Sequence, residues 1–294
     1  MSSGNTFSMA QFRSQSLFLP HNFRQVLRNS VQGGPPVLGY AVFVNSTQQL
    51  RSVAALGFDF VWLDPEHSSM NVETLTELIH TVSFASEGRT VPVVRVPGHG
   101  HEWIASSLDA GAGGIMIPQI DTAEQAREVC ASVTFGAKNG GTRSVPPFRL
   151  IRGVTDVVPE GKTIIDVWNE YPAIIAQIES MKGVENIEEI CQVERIDCIF
   201  IGHLDLRISM GLPMQRGEVD EPEYAAIVKK VNDTATKYGK AIGGSAYPPR
   251  VKEQGVGKHF ILIAGDALHL QQDRKTLAKA RDLFQEPALE RQKL

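Results

Sequence analysis

Phe60-Val61-Trp62-Leu63-Asp64-Pro65-Glu66-His67 sets four consecutive apolar residues directly against two carboxylates and an imidazole. A short apolar run closed by an Asp-Pro step reads as a β-strand buried on both faces. Downstream, Val72–Phe84 carries apolar residues at helical spacing, and Pro92–Val96 is a second short apolar run. Two buried strands joined by an amphipathic helix make a βαβ unit, with the strands parallel.

The same alternation extends in both directions. Further strands are expected at Leu38–Val44, Gly114–Ile117, Ala173–Glu179, Cys198–Gly202, Lys240–Gly244 and Phe260–Ala264, with helices at Ala123–Val133, Val184–Val193 and Tyr224–Tyr238. In the last, Tyr224, Ile227, Val228 and Val231 form one apolar stripe. Eight strands with intervening helices over about 250 residues give the α/β class and a (β/α)8 TIM barrel. A doubly wound sheet would place a glycine-rich loop after its first strand; Leu38–Val44 runs instead into Asn45-Ser46-Thr47. Nothing marks a second domain. Residues 1–37 read as a leader, partly disordered or peripheral, and residues 38–294 as a single barrel. Gly136–Lys162, rich in Gly and Pro, reads as a functional loop.

Composition removes several functional classes. Among 294 residues, 29 Lys and Arg face 33 Asp and Glu, a net charge of −4. There is no basic field for nucleic acid or an anionic membrane, and no apolar run of the ~18 residues a spanning helix needs. Three cysteines without a C-x-x-C pair argue against a disulfide framework or a cysteine-ligated metal. The expected location is the cytoplasm. Two terminal features point elsewhere without displacing that reading. Residues 1–58 hold Arg13, Arg24, Arg28 and Arg51 but no acid, as a mitochondrial leader would, and Gln292-Lys293-Leu294 is a distant variant of the peroxisomal S-K-L ending.

Barrel enzymes carry their chemistry at the C-terminal ends of the strands. Here those ends supply Asp64, Glu66 and His67, then Arg95, Gln119, Gln177, Glu179 and Asp205. Glu179 and Asp205 follow consecutive strands, and paired carboxylates suit a hard divalent ion such as Mg²⁺ or Mn²⁺. The alternative is that each caps a helix or pairs with a lysine. Asp64 can orient His67 as a general base. Arg95 can clamp a substrate carboxylate or a developing oxyanion, or it can form a buried ion pair with a barrel carboxylate.

Asp64-Pro65-Glu66-His67, Val94-Arg95-Val96-Pro97, Leu108-Asp109-Ala110-Gly111-Ala112, Gly114-Ile115-Met116-Ile117-Pro118, Gln177-Ile178-Glu179 and Ile201-Gly202-x-x-Asp205-Leu206 occur in that order. The chain from about Leu38 to Leu283 thereby resembles the HpcH/HpaI aldolase family of metal-dependent class II pyruvate aldolases. The resemblance implies a barrel whose last helix is exchanged between subunits, in a homo-oligomer of dimers built into hexamers. It implies a metal at Glu179 and Asp205 (Mg²⁺ or Mn²⁺, with Co²⁺ or Zn²⁺ possible) and His67 as base supported by Asp64. Gln177, Leu204 and Arg95 would bind the small 2-oxo acid, and Asp109 would reach a neighbouring subunit's site.

The expected function is reversible aldol cleavage of a 4-hydroxy-2-oxo acid to pyruvate and an aldehyde through a pyruvate enolate. Oxaloacetate decarboxylation, or a macrophomate-synthase-like reaction through the same enolate, is the alternative; a barrel that only binds a 2-oxo acid is the non-enzyme one. Four residues depart from the family pattern. His203 replaces a proline, Arg207 a small hydroxyl residue, Ser68 a glycine, and Ser144 the glycine after Arg143. Arg207 or His203 is expected to approach the pocket of the second substrate and favour an anionic one; the alternative is an Arg207 in solvent or on a surface acid.

Overall fold

The computed structural model describes residues 21–147, 158–214 and 221–284. Eight parallel strands close into a barrel in sequence order: β1 Val37–Val42, β2 Phe60–Leu63, β3 Val91–Arg95, β4 Gly114–Ile117, β5 Ala173–Ile178, β6 Cys198–Ile201, β7 Ala241–Ser245 and β8 Phe260–Gly265. The helices are α1 Phe23–Val31, α2 Thr47–Ala55, α3 Val72–Ala85, α4 His101–Ala110, α5 Ala123–Val133 and α6 Ile164–Glu170. They continue as α7 Met181–Glu185, α8 Ile187–Gln192, α9 His203–Ser209, α10 Pro222–Lys237, α11 Val251–Gly255 and α12 Asp266–Leu283. The (β/α)8 expectation is met, and the strand ends differ from the expected ones by one to two residues. The stretch Val184–Val193 is not one helix: Asn186 separates α7 from α8, and its side-chain amide donates to the Asp121 carbonyl at 2.8 Å.

The period of two along each strand sorts the core into two layers. Val61, Leu63, Ile174, Ala176, Ile199 and Ile201 face the helices. Phe60, Trp62, Val93, Ile175, Phe200 and Leu262 fill the barrel. Gly39 admits the Phe60 ring, which a Cβ would meet at 2.1 Å, so that Phe60 stacks on Phe260 at 4.1 Å between ring centroids.

Residues 22–31, grouped with the leader in the sequence reading, form the floor of this core. In α1, Phe23 and Leu27 are fully buried, and Phe23 meets the Phe60 and Phe260 rings at 6.2 and 6.1 Å. A helix with one apolar edge in a polar stretch carries no strand signal, so alternation could not reveal it. The loop expected over Gly136–Lys162 lies partly outside the described residues. No described helix is long and apolar enough to cross a membrane.

After β8, the Asp266 side chain accepts from the backbone N–H groups of Phe43 and Val44 at 2.8 Å each, tying α12 to the end of β1. Farther along, α12 leaves Leu270, Leu277 and Leu283 exposed, together with the following Phe284.

Candidate active site

Continuing each interior row one step beyond the apolar core converts packing into chemistry. Trp62 is followed on the same face by Asp64, Val93 by Arg95, Ile175 by Gln177 and then Glu179, and Phe200 by Gly202. These positions meet at the C-terminal mouth of the barrel, where Arg95, Gln177 and Gly202 line a cavity of about 470 Å³ and Asp64 and Glu179 are buried behind them.

Asp64 is fully buried and is bound by Arg95, through Nε at 3.1 Å and through Nη2. The Arg95 guanidinium also lies 3.0 Å from Glu66 Oε2 and 4.8 Å above the Trp62 ring. That leaves Nη1 without a partner among the described residues, on a side chain that lines the cavity. The expected Asp64–His67 pair is absent. The buried carboxylate is committed to Arg95, a stronger and better-shaped partner. The His67 side chain is 61% exposed at the cavity mouth, with Glu66 Oε2 its nearest carboxylate at 3.8 Å. Ser68, where the family pattern has glycine, donates its hydroxyl to the Asp64 carbonyl at 2.7 Å and tightens the turn.

Glu179 is 5% exposed. Its carboxylate accepts from the Gln119 backbone N–H at 2.9 Å and from the Gln177 side-chain amide. Gln119 has a φ of +50°, a left-handed conformation costing a non-glycine residue of order 1 kcal/mol; the site holds that strain while the amide points at the carboxylate. Burial pushes the Glu179 carboxyl up to about 7, and the negative charges of Asp205 and Glu66 push the same way, against the Gln119 amide and Arg95. Gly202 stands against this group because a Cβ there would lie 2.2 Å from Glu179 Oε2 and 2.7 Å from Gln177 Nε2. Gln177 Oε1 and Trp62 Nε1 are buried without a hydrogen-bond partner among the described residues.

Asp205, in the first turn of α9, is exposed at the cavity rim, with Leu204 half-buried beside it. No three His, Cys, Asp or Glu side chains gather as a ready-made metal cluster among the described residues. The candidate donors are the two carboxylates of Glu179 and Asp205, with the orphaned Gln177 carbonyl on the side chain that binds Glu179. A buried carboxylate with further carboxylates within electrostatic reach, beside an unpaired acyl oxygen, is chemically suited to a hard cation whose remaining ligands come from water or substrate.

The departures His203 and Arg207 lie where the expectation put them, since both line the cavity, but their side chains are engaged. Arg207 is only 1% exposed, so it does not point to solvent; it does pair with a nearby acid, but as a buried guanidinium and not as a surface bridge. Its fork binds Glu221 at 2.9 and 2.7 Å, Nε donates to the Pro213 carbonyl at 2.8 Å, and the guanidinium lies 5.1 Å over the Tyr224 ring. Its charge is spent on holding the start of α10. His203 Nδ1 is 2.6 Å from the Tyr224 hydroxyl, and burial with the nearby charges of Lys258 and Arg207 pushes its imidazole down to about 4. Asp109 does not join this group within the chain. It lies in the last turn of α4, at the opposite end of the barrel, and binds the buried Arg143 at 2.6 Å. The sequence reading missed the β7–β8 contribution to the cavity, Ser245, Tyr247, Gln254 and Lys258. Lys258 precedes β8, at the strand end where barrel rules look for stability rather than chemistry.

The profile of the HpcH/HpaI aldolase/citrate lyase family matches residues 40–263. A 2-keto-3-deoxy-L-rhamnonate aldolase of Klebsiella pneumoniae subsp. pneumoniae is 28% identical over 250 residues, 83% of this chain and 86% of that protein. The crystal structure of macrophomate synthase superposes with a TM-score of 0.82 at 33% identity, over 92% of both chains. An HpcH/HpaI aldolase/citrate lyase family protein from Burkholderia cenocepacia J2315 superposes with a TM-score of 0.76 at 25% identity, over 89% of this chain and 99% of that one.

Proposed function

The chain belongs to the HpcH/HpaI aldolase/citrate lyase family, a carbon–carbon lyase by that membership, and on that premise we propose that it catalyses the reversible aldol cleavage of a 4-hydroxy-2-oxo acid to pyruvate and an aldehyde. The observation that carries this reading is the buried Glu179 carboxylate with the unpartnered Gln177 carbonyl beside it. Glu179 and Asp205 would hold a divalent cation, Mg²⁺ or Mn²⁺, with Gln177 next to it. Bound there, the ion would polarise the 2-oxo acid's carbonyl as a Lewis acid.

The remaining chemistry belongs to the chain's side chains. Arg95, fixed by Asp64 and Glu66, offers Nη1 to the substrate carboxylate or to the oxygen on which enolate charge develops. Asp64 acts as the support of Arg95 rather than of His67. His67, at the cavity mouth, takes up the proton of the 4-hydroxyl on cleavage and returns one to it on condensation. Trp62 and Phe200 make the apolar wall on which the substrate's carbon skeleton rests, and Leu204 closes that wall at the rim.

Assembly is part of the same reading. The exposed Leu270, Leu277, Leu283 and Phe284 on and after α12 would be covered by exchange with a second copy, in dimers that build a hexamer. Asp109, engaged by Arg143 within its own chain, would meet a neighbouring site only in that assembly.

A second reading is oxaloacetate decarboxylation, favoured by the exposure of His67 and its lack of an orienting carboxylate within hydrogen-bond distance. Loss of CO₂ generates the enolate without a base. The test is to incubate the purified protein with Mn²⁺ or Mg²⁺ and follow three signals: hydrogen–deuterium exchange of the pyruvate methyl group, aldol product across an aldehyde panel, and pyruvate from oxaloacetate. Exchange and aldol product support the aldolase; decarboxylation alone selects the second reading. No signal with either ion overturns both.

A further inference from the structure

The cavity does not end at the barrel mouth. From Trp62 and Arg95 on the axis it continues over the ends of β6 and β7 to a lateral pocket between α10 and α11, lined by Tyr224, Val228, Gln254 and Lys258. Gly244 makes room for the lysine, whose stem lies flat on it: a Cβ at 244 would come 2.7 Å from Lys258 Cε and 3.1 Å from Nζ.

Two lysines flank β7, Lys240 buried and Lys258 half-buried, and they differ in one hydrogen bond. Lys240 donates all three ammonium hydrogens to the backbone, to the carbonyls of Val193, Glu194 and Ile196 at 2.9, 3.2 and 2.7 Å. It is a satisfied structural lysine, remote from the cavity. Among the described residues Lys258 donates two, to the carbonyls of Ser245 and Gln254 at 3.1 and 2.5 Å. No carboxylate forms an ion pair with it among the described residues, and burial alone pushes its ammonium down to about 8. A desolvated cation with a spare donor and no counter-charge is costly, and such groups ordinarily neutralise or find a partner. His203, which lines the same cavity, uses Nδ1 on the Tyr224 hydroxyl, and its Nε2 has no hydrogen-bond partner among the described residues. Where the Tyr224 hydroxyl donates to Nδ1, Nε2 carries the hydrogen.

We propose that Lys258 Nζ and His203 Nε2 form an anion site at this lateral end, taking the carboxylate or phosphate of the aldehyde partner while the 2-oxo acid occupies the axial end. Lys258 is then the residue that sets specificity for the second substrate, beside His203, one of the two residues expected there, and in place of the other, Arg207, whose charge Glu221 has already met. The assignment of the ligand as an aldehyde rests on the aldolase reading; the existence of the anion site does not.

Two arms test these separately. In the first, calorimetry measures succinate and inorganic phosphate binding to the full chain in chelator, for the parent, Lys258→Met and Lys258→Arg. The parent should bind at least one anion, Lys258→Met should bind it tenfold to about a hundredfold more weakly, and Lys258→Arg should restore most of the affinity. Whichever anion binds identifies the source. In the second arm, kcat/KM is compared for succinic semialdehyde, glyceraldehyde 3-phosphate and propionaldehyde. Lys258→Met should lower the value for one charged aldehyde at least tenfold more than for propionaldehyde, mainly through KM. Equal anion affinity in parent and Lys258→Met, or no anion binding by the parent, overturns the site. Weakened anion binding with equal losses on all three aldehydes overturns its role in the aldol reaction. Superimposable circular dichroism spectra show that Lys258→Met folds, and recovery in Lys258→Arg assigns the loss to charge.

Discussion

The β2–β5 side of the cavity surrounds its charges with other charges. Arg95 lies between Asp64 and Glu66, and Glu179 is within electrostatic reach of Asp205, Glu66 and Arg95. On the β7–β8 side, the Lys258 ammonium is hydrogen-bonded, among the described residues, to backbone carbonyls and to no carboxylate. The first wall has an excess of negative charge that awaits a cation; the second has positive charge that awaits an anion. A substrate with a 2-oxo acid at one end and an anion at the other would neutralise both, so the charge left over on each wall is a map of what should bind there.

The largest effect should come from removing the excess on the acidic wall. Glu179→Gln and Asp205→Asn should each lower turnover by at least about three orders of magnitude, because a neutral amide is a poor ligand for a hard cation. For Glu179→Gln the stability should move the other way at pH 8, since the buried group no longer has to ionise. A Glu179→Gln protein that keeps its activity, or activity that survives exhaustive chelation, would break the contrast between the walls.

Next comes the base. His67→Ala should lose roughly 10²–10⁴ in aldol turnover, with a smaller loss in oxaloacetate decarboxylation. Its thermal midpoint should barely change, because the side chain is mostly exposed and buries little. If both reactions fall equally, His67 is doing something other than moving the aldol proton.

The acidic wall was largely legible in the sequence and the cationic wall was not, for a physical reason. Parallel strands buried on both faces are readable as apolar runs, and their C-terminal ends point to the mouth, so Asp64, Arg95, Gln177 and Glu179 could be placed together from spacing. Which of them touch was not readable. Asp64 choosing Arg95 over His67 is decided by side-chain directions in the turn after β2, where Asp64 and His67 stand three residues apart, and sequence spacing does not fix those. Lys258 lay outside the rule altogether: its Cα is below β8, and only a long stem lying across Gly244 brings its ammonium to the cavity. The floor helix α1 escaped for the same kind of reason, since Phe23 is core by insertion and not by periodicity.

Arg207 separates a charge that holds structure from one that waits for ligand. Replacing it with serine leaves Glu221 without its buried fork and empties the space over Tyr224, at a cost of about 3 kcal/mol in urea denaturation. Because its charge is already met, Arg207→Ser should change kcat/KM for anionic and neutral aldehydes by the same factor. A selective loss on the anionic ones would move the anion site from Lys258 to Arg207.

The smallest effect is the most direct probe of the uncompensated lysine. A Lys whose folded pKa lies near 8, below its unfolded value of 10.5, costs the fold its full penalty at pH 7, where both states are protonated. Between pH 8 and 10.5 the unfolded chain holds the proton that the folded chain has released, so stability from this group rises with pH across that window. Lys258→Met has no such group, although it leaves the Ser245 and Gln254 carbonyls without their donor, a pH-independent cost of about 1–3 kcal/mol. The informative quantity is therefore the slope, in which that offset cancels. Relative to Lys258→Met, the parent should gain on the order of 2 kcal/mol between pH 7.5 and 10.5. The other groups facing Lys258, namely His203, Arg207 and the neighbouring Arg250, are common to both proteins, and His203 is already neutral throughout. Bound succinate or phosphate should move the rise to higher pH by holding the ammonium charged. Parallel stability curves for the two proteins across this range would mean that Lys258 is solvated like a surface lysine, and the difference between the two walls would disappear.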